Sequence, residues 1–391
     1  MQISPVLALF PAENIVVCFK GMTDEAYIRR TLALAKRAVG STSPNPMVGA
    51  VLVKKGEIIA EGFHKKAGTA HAEVIALDRA GENAVGSTLY VSLEPCCHKD
   101  KRTPPCTEKI IASGVRRVVI AMRDPNPKVS GKGIEELRKA RIEVVAGILE
   151  EKARKMNEFY IKQITTGLPF VILKVAMTLD GKIATPEGES QWITGEKARK
   201  EVHRLRASVD AVMTAIGTVK ADNPQLTCRA VKGKDPVRII IDPSLEISPD
   251  ARILTCPPHT IVVTHVSAAA GKKSLLTNKG VTVLSYKRKR LDLAWLMKEL
   301  YSMGITSALV EGGSSLSASC LEAGIVDKVM FYIAPKIIGG RESFPAIGGS
   351  SFRRLDDAYR LTRTLVRRIG DDIVIEGYLQ ASARAADHMQ R

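Results

Sequence analysis

Short apolar runs of strand length, separated by segments with helical spacing of apolar residues, recur along the whole chain. MTDEAYIRRTLALAKRAVG, starting at Met22, predicts the first helix: Thr23 is a cap candidate, acidic residues fill the first turn, and Gly40 stops it. MVGAVLVKKGEIIAEGFH offers two apolar runs about the turn KKGE, the pattern of a hairpin. HAEVIALDRAG then predicts a helix, STLYVSLEPC a buried strand, CTEKIIASG a helix, VRRVVIAMRDP a strand, GIEELRKAR a helix and IEVVAGIL a strand. This alternation predicts a three-layer α/β unit whose far side is largely parallel.

EEKARKMNEFYIKQITTG reads as a helical connector ending at Gly167. Beyond Pro169, FVILKVAMTLDGKIA, AVMTAIGTVKAD, VRIIID, HTIVVTH, GVTVLSY, ITSALVEGG and VDKVMFYIAP supply strand candidates with helices among them, so a second α/β unit is expected. DIVIEGYLQ is expected to close it as an antiparallel edge strand. The expected boundaries are 22–147 for the first unit, 148–168 for the connector and 169–380 for the second. Residues 1–21 read as a disordered extension or an alternative start, and 381–391 as a frayed tail.

Two units suit 391 residues, and 45% apolar with 25% charged residues is an ordinary globular balance. No apolar run approaches the ~20 residues of a membrane span, and PVLALF near the start lacks the flanks of a secretory signal, so the cytoplasm is expected. The net charge of +17 is spread over both halves, which suits anionic small substrates better than a nucleic-acid stripe. KRKR at Lys287–Arg290 reads as a solvated turn before the helical LDLAWLMKEL.

Seven cysteines, three of them within EPCCHKDKRTPPC (Glu94–Cys106), suit reduced thiols and a metal better than disulfides. Some twenty residues earlier stands HAEV, beginning at His71. A zinc deaminase carries H-x-E followed by P-C-x-x-C, with the Glu off the metal as proton carrier. HAE and PCC match the first two parts, giving His71 and Cys96 as ligands and Glu73 as the acid–base group. The third part departs: Lys99 stands where the next cysteine should be, and Cys97, His98 and Cys106 compete for the place. Adjacent cysteines diverge, whereas Cys106 opens a helix whose N-terminus favours a thiolate, so Cys106 is the expected third ligand. Three protein ligands leave a position for water. A closed structural zinc, with Cys97 or His98 as fourth ligand, is the competing reading.

SPNPMVGAVLV, GFHKKAGTAHAEV, VSLEPCCHKDKRTPPC and RDPNPKVSGKGI resemble the deaminase half of the bifunctional riboflavin biosynthesis deaminase/reductases, from about Thr23 to Gly147. The resemblance implies a cytidine-deaminase-like α/β/α fold with one zinc per chain. It places Asn45 and His64 on the pyrimidine, and Arg102 with Thr103 on the substrate's 5′-phosphate. Family members usually read C-x-H-x-G-[RK]-T-P-P-C, and this chain carries one more residue and no glycine there.

The second half has no G-x-G-x-x-G after a strand. ALVEGGSSLSASCLEAG is a strand, glycine turn and helix start that could cradle a phosphate or simply pack tightly. LKVAMTLDGKIA, GESQWITG, HRLRASVDAVMTAIGTVKADNPQLTCR and LVEGGSSL, in that order, resemble the reductase half of the same enzymes, whose fold is similar to dihydrofolate reductase. The resemblance implies NADPH at Ala176, Trp192, Thr218, Asp222 and the turn Gly312, Gly313, Ser314 and Ser315. It places Lys174, Ser190, Arg206, Leu226, Arg229 and Glu311 towards substrate, with Glu311 or Lys174 as proton partner. A homodimer through the second unit is also implied. Without the resemblance, Trp192 would read equally as core, Asp222 as a turn cap and Arg206 as a solvated helix face.

The expected function is therefore zinc-dependent deamination of a diaminopyrimidinone ribosyl phosphate, followed by NADPH-dependent reduction of its ribosyl chain. A nucleic-acid base deaminase is the competing enzyme, but aromatics are only 5% and none lies between Glu94 and Cys106 to stack a flipped base. A zinc-stabilised binding module is the competing non-enzyme.

Overall fold

A computed structural model describes residues 23–98, 104–255, 257–350 and 352–380. The extension expected over 1–21 and the tail expected over 381–391 lie outside them. Helix α1 (Asp24–Ala35) begins where the Thr23 side chain accepts from the Ala26 amide, and buries Tyr27, Ile28, Thr31, Leu32 and Leu34 at helical spacing. It covers a five-stranded sheet built from β1 (Gly49–Lys54), β2 (Glu57–Phe63), β3 (Thr88–Val91), β4 (Arg117–Ile120) and β5 (Glu143–Ala146), in the order β2-β1-β3-β4-β5. The hairpin is antiparallel, β1 pairs antiparallel with β3, and β3, β4 and β5 run parallel, as the alternation implied. Helices α2 (Ala72–Ala80), α3 (Cys106–Ala112) and α4 (Lys132–Lys139) connect these strands. Asp24 also ties the helix to the sheet: Arg117 donates to both its oxygens at 2.9 Å and Tyr90 at 2.8 Å, and these bonds hold its carboxyl below the usual range.

The connector is two helices, α5 (Glu150–Met156) and α6 (Glu158–Thr166), broken at Asn157. The expected helical connector therefore carries a break the sequence did not mark. The Asn157 side chain is engaged with the backbone of Met47.

The second sheet has nine strands: β6 (Phe170–Thr178), β8 (Ala211–Ala215), β9 (Val237–Ile241), β10 (Thr260–His265), β11 (Thr282–Tyr286), β12 (Ser307–Val310), β13 (Lys328–Ala334), β15 (Leu361–Ile369) and β16 (Asp372–Leu379), while β7 (Lys182–Ala184) pairs separately with β14 (Phe344–Pro345). Their order is β11-β10-β9-β8-β12-β6-β13-β16-β15. The seven strands from β11 to β13 run parallel, and the six inside the edge strand β11 are largely buried on both faces, which is why they read as apolar runs. Helices α7 (Glu196–Ser208), α8 (Ile216–Asp222), α9 (Ala270–Asn278), α10 (Leu293–Ser302) and α11 (Ser314–Glu322) flank them. Lys287–Arg290 is an exposed bend before α10, whose cap is Asp292.

One strand assignment needs correcting. DIVIEGYLQ forms β16, which lies between β13 and β15; the edge strand is β15, LTRTLVRRI, which the pattern did not announce. An edge strand paired on one side needs no continuous apolar face, and β15 keeps most of its side chains in solvent.

Candidate active sites

The first site forms where β3 ends and α2 and α3 begin. His71 is the N-cap residue of α2, Cys96 follows β3, and Cys106 is the first residue of α3. Their ligand atoms lie within 4.8 Å of one another: His71 Nδ1 is 3.2 Å from Cys106 Sγ and 3.5 Å from Cys96 Sγ. Cys97 and His98 stand outside this group, and Cys97 Sγ instead faces the Lys128 carbonyl at 4.0 Å. An imidazole nitrogen with two sulfurs is a donor set suited to zinc, and three donors leave a fourth place for water. Glu73 lies within the first turn of α2, 3% exposed, and its Oε2 has no hydrogen-bond partner among the described residues. Burial pushes its carboxyl up, with the His71 ring opposing and Cys96 adding to the rise. A buried, unsatisfied carboxylate oxygen beside such a donor set fits a proton carrier that works on a metal-held ligand.

His64 and Asn45 extend the wall. The Asn45 side-chain amide is 3.2 Å from His64 Nε2, and His64 Nδ1 is 3.2 Å from the Ala70 carbonyl. The His64 and His71 rings meet edge to face at 5.4 Å, so Asn45 and His64 are brought to the metal group. Arg102 and Thr103 lie outside the described residues, as does the extra residue's stretch between Lys99 and Thr103.

Two supports were not legible as such. Glu94, 2% exposed, accepts from the amides of Asp124 (3.2 Å), Gly131 (3.0 Å) and Ile134 (3.2 Å), tying the β4–α4 loop against the strand end that delivers Cys96. Gly133 lets α4 approach closely, because a Cβ there would collide with the Pro95 carbonyl. A glutamate directly after the apolar VSL was the available signal for the first; the second is a packing contact without a local signature.

The second site gathers at the ends of β6, β8 and β12. Glu311 directly follows β12 and is 9% exposed. Arg206, from α7, donates to both of its oxygens at 2.6 and 2.9 Å and to the Thr227 carbonyl at 3.1 Å; Lys174, from β6, stands 3.3 Å away. Burial works against the Glu311 carboxylate, yet Arg206 and Lys174 outweigh it and hold its carboxyl at about 2. The solvated-face reading of Arg206 therefore fails: its side chain is 13% exposed. Arg229 is exposed, with one 3.5 Å approach to Thr227 Oγ1. Leu226 is buried with φ of 52°. His203, which sequence reasoning missed, joins the cluster through the Thr227 carbonyl at 2.9 Å; a lone histidine on a charged helix gave no signal.

Ser190 donates to Asp222 at 2.9 Å, so Asp222 is committed across the site rather than to its own turn. Trp192 is 59% exposed under the Arg199 guanidinium, which excludes the core reading. Ala176 lies in β6 opposite Tyr332. Gly312 and Gly313 lead into α11: a Cβ on Gly312 would press within 2.6 Å of the Leu316 side chain, and one on Gly313 would meet Thr218 Oγ1 at 3.8 Å. Ser314 Oγ is buried without a hydrogen-bond partner among the described residues, and Ser315 is exposed beside it. A small-residue turn opening a nine-residue helix, with an unsatisfied hydroxyl at its start, fits a dinucleotide phosphate.

Comparison with known proteins gives the family of each half. Residues 22–122 match the family model "Cytidine and deoxycytidylate deaminase zinc-binding region", and residues 169–375 match "RibD C-terminal domain". The riboflavin biosynthesis protein RibD of Actinobacillus pleuropneumoniae is 46% identical over 361 residues, covering 92% of this chain and 96% of that one. That of Aquifex aeolicus is 47% identical over 354 residues, covering 90% and 97%. Among solved structures, Acinetobacter baumannii RibD superposes with a TM-score of 0.82 at 39% identity, covering 91% of this chain and 99% of that one. A Thermotoga maritima diaminohydroxyphosphoribosylaminopyrimidine deaminase/5-amino-6-(5-phosphoribosylamino)uracil reductase gives 0.80 at 38%, with the same coverage. No helix among the described residues is long and apolar enough to cross a membrane. The chain belongs to the RibD family: it is a bifunctional enzyme of riboflavin biosynthesis, a zinc-dependent deaminase and an NADPH-dependent reductase acting on small-molecule substrates.

Proposed function

We propose that the two reactions run at the two clusters described, with His71, Cys96 and Cys106 holding zinc and Glu73 moving the proton. The observation that carries this reading is Glu73 itself: buried, one oxygen unpaired, and in the same turn as the metal-side histidine. Zinc, when bound, supplies activation of a water for attack on an amidine-like ring carbon. Glu73 takes the proton of that water and returns it to the ring nitrogen and the departing amine. Such a shuttle is worth about 10²- to 10⁴-fold. Asn45 and His64 hold the pyrimidine edge, and Arg102 with Thr103 hold the 5′-phosphate.

In the reductase half, NADPH supplies the hydride to C1′ of the sugar. Gly312 to Ser315 receive its phosphates, with Ala176, Trp192, Thr218 and Asp222 around the rest of the cofactor. Lys174, 3.3 Å from Glu311, faces the substrate as proton partner. Arg229, exposed and lightly held, meets the substrate phosphate, while Ser190, Leu226, Arg206 and Glu311 shape the pocket. The halves divide as 22–147 and 169–380 about a connector at 148–168. The enzyme works in the cytoplasm as a homodimer through its second half. The edge strand β15, with Val366 61% and Leu365 44% exposed, supports that pairing.

The zinc reading is tested by Glu73→Gln: zinc content should match the parent while ammonia release falls by at least about 10²-fold. Deamination at the parental rate would contradict it.

A further inference from the structure

The segment between α1 and β1 carries Asn45, and the buried side chains that bond its backbone come from outside the first sheet. Both ends of the Asn157 side-chain amide bond the Met47 backbone: Met47 N donates to Oδ1 at 2.8 Å and Nδ2 donates to the Met47 carbonyl at 3.1 Å. Gln163, one helix further along the connector, donates to the Pro44 carbonyl next to Asn45. Asn157 and Gln163 are 2% and 6% exposed, so neither bond is exchanged with water at small cost. The second sheet supplies the third anchor. Ser43 Oγ donates to Asp210 Oδ2 at 2.9 Å and lies 3.0 Å from Thr306 Oγ1; Asp210 is in turn fixed by the Thr306 amide at 2.9 Å and hydroxyl at 2.7 Å. Gly40 completes the contact, since a Cβ there would collide with the Ala207 carbonyl.

The loop that follows β4 is held from the connector as well. Tyr160 of α6 donates to Asp124 Oδ1 at 2.9 Å, in the loop that Glu94 ties to the Cys96 strand end. Within the segment itself the bonds are short turns, Ser41 N to the Ala38 carbonyl at 3.0 Å and Asn45 N to the Thr42 carbonyl at 2.7 Å. The Asn45 side chain also meets His64 at 3.2 Å, and keeping it to the ~0.5 Å that a working site needs requires its loop backbone to be fixed as well. The connector and second sheet supply that backbone anchorage.

We propose that Asn157, Gln163 and Asp210 are positioning residues for the deaminase, acting through Asn45, so that the first active site is completed by the connector and the second half of the chain. The segment 206–210 then serves both sites at once, Arg206 bracing Glu311 and Ala207 with Asp210 bracing the Asn45 loop. This rests on the reading that Asn45 contacts the pyrimidine.

The test is a double-mutant cycle in the full-length zinc enzyme, with ammonia release from the diaminopyrimidine phosphate as readout. Asn157→Ala should lower deaminase kcat/KM by about 10-fold or more, within the ~10²-fold that a 1 Å misplacement causes. Zinc content and the NADPH-dependent rate on deaminated substrate should stay at parental values. In an Asn45→Ala background the same change should add less than about 2-fold, because residues acting through one group are not additive. Ser43→Ala, which removes one hydroxyl and leaves Asp210 on Thr306, should show a smaller loss with the same non-additivity. Full additivity with Asn45→Ala, or parental deamination in both Asn157→Ala and Ser43→Ala, overturns the proposal. Parental deamination in Asn45→Ala alone overturns it differently, by removing the substrate contact on which it rests.

Discussion

Arg206 and Glu311 form a two-point pair, Nε to Oε1 at 2.6 Å and Nη2 to Oε2 at 2.9 Å, with side chains only 13% and 8% exposed. With Lys174 they make a buried cluster of two cations and one anion, in which the carboxyl is held at about 2 against an ordinary 4.5. A depressed carboxyl stabilises the fold fully above its ordinary value and loses that contribution as pH falls towards 2. The shift corresponds to about 3 kcal/mol. Glu311→Gln should therefore lose less denaturant stability than the parent between pH about 5 and about 2. Identical losses in the two proteins would show that the pair does not titrate as described.

The same pair separates two arginines that sequence treats alike. Arg206→Ala leaves Glu311 buried with Lys174 as its remaining cation, and should cost about 3–5 kcal/mol in chemical denaturation. Arg229 is exposed and lightly held, so Arg229→Ala should leave stability within about 0.5 kcal/mol. Its effect should appear as a rise of about tenfold in KM for the phosphorylated substrate of the reductase. An unchanged KM would remove Arg229 from the phosphate.

Metal analysis distinguishes the cysteines. Cys106→Ser should lose zinc and Cys97→Ser should keep it, since only Cys106 brings its sulfur within reach of His71 and Cys96. Zinc retained in Cys106→Ser would move the third ligand elsewhere in the loop.

Gly133→Ala forces a methyl against the Pro95 carbonyl beside Cys96. Overpacking of this kind costs about 1–3 kcal/mol, and calorimetry of the zinc-loaded enzyme should show a lowered Tm. A parental Tm would mean that α4 gives way freely.

What the sequence disclosed was local. HAE, PCC and Cys106 come together because the candidate ligands sit at strand and helix ends set by a simple βαβ alternation, so spacing alone nearly places them. The parallel strands were legible for the same reason: burial on both faces writes itself as unbroken apolar runs. Long-range bonds write nothing locally. Asn157 reads as one polar residue in a helix, and it bonds Met47, 110 positions away; Asp210 meets Ser43, 167 positions away. β15 was hidden by its polar, one-sided edge, and His203 by the charged helix that carries it.

The central claim, two successive reactions on one chain, is tested most directly by mass spectrometry of products from the diaminopyrimidine ribosyl phosphate, with and without NADPH. Without NADPH the product should have exchanged one NH for oxygen and kept its ribosyl chain; with NADPH it should also have gained two hydrogens. Recovery of unchanged substrate with zinc bound and NADPH present would contradict the account, as would hydrogen gain without prior loss of the amine.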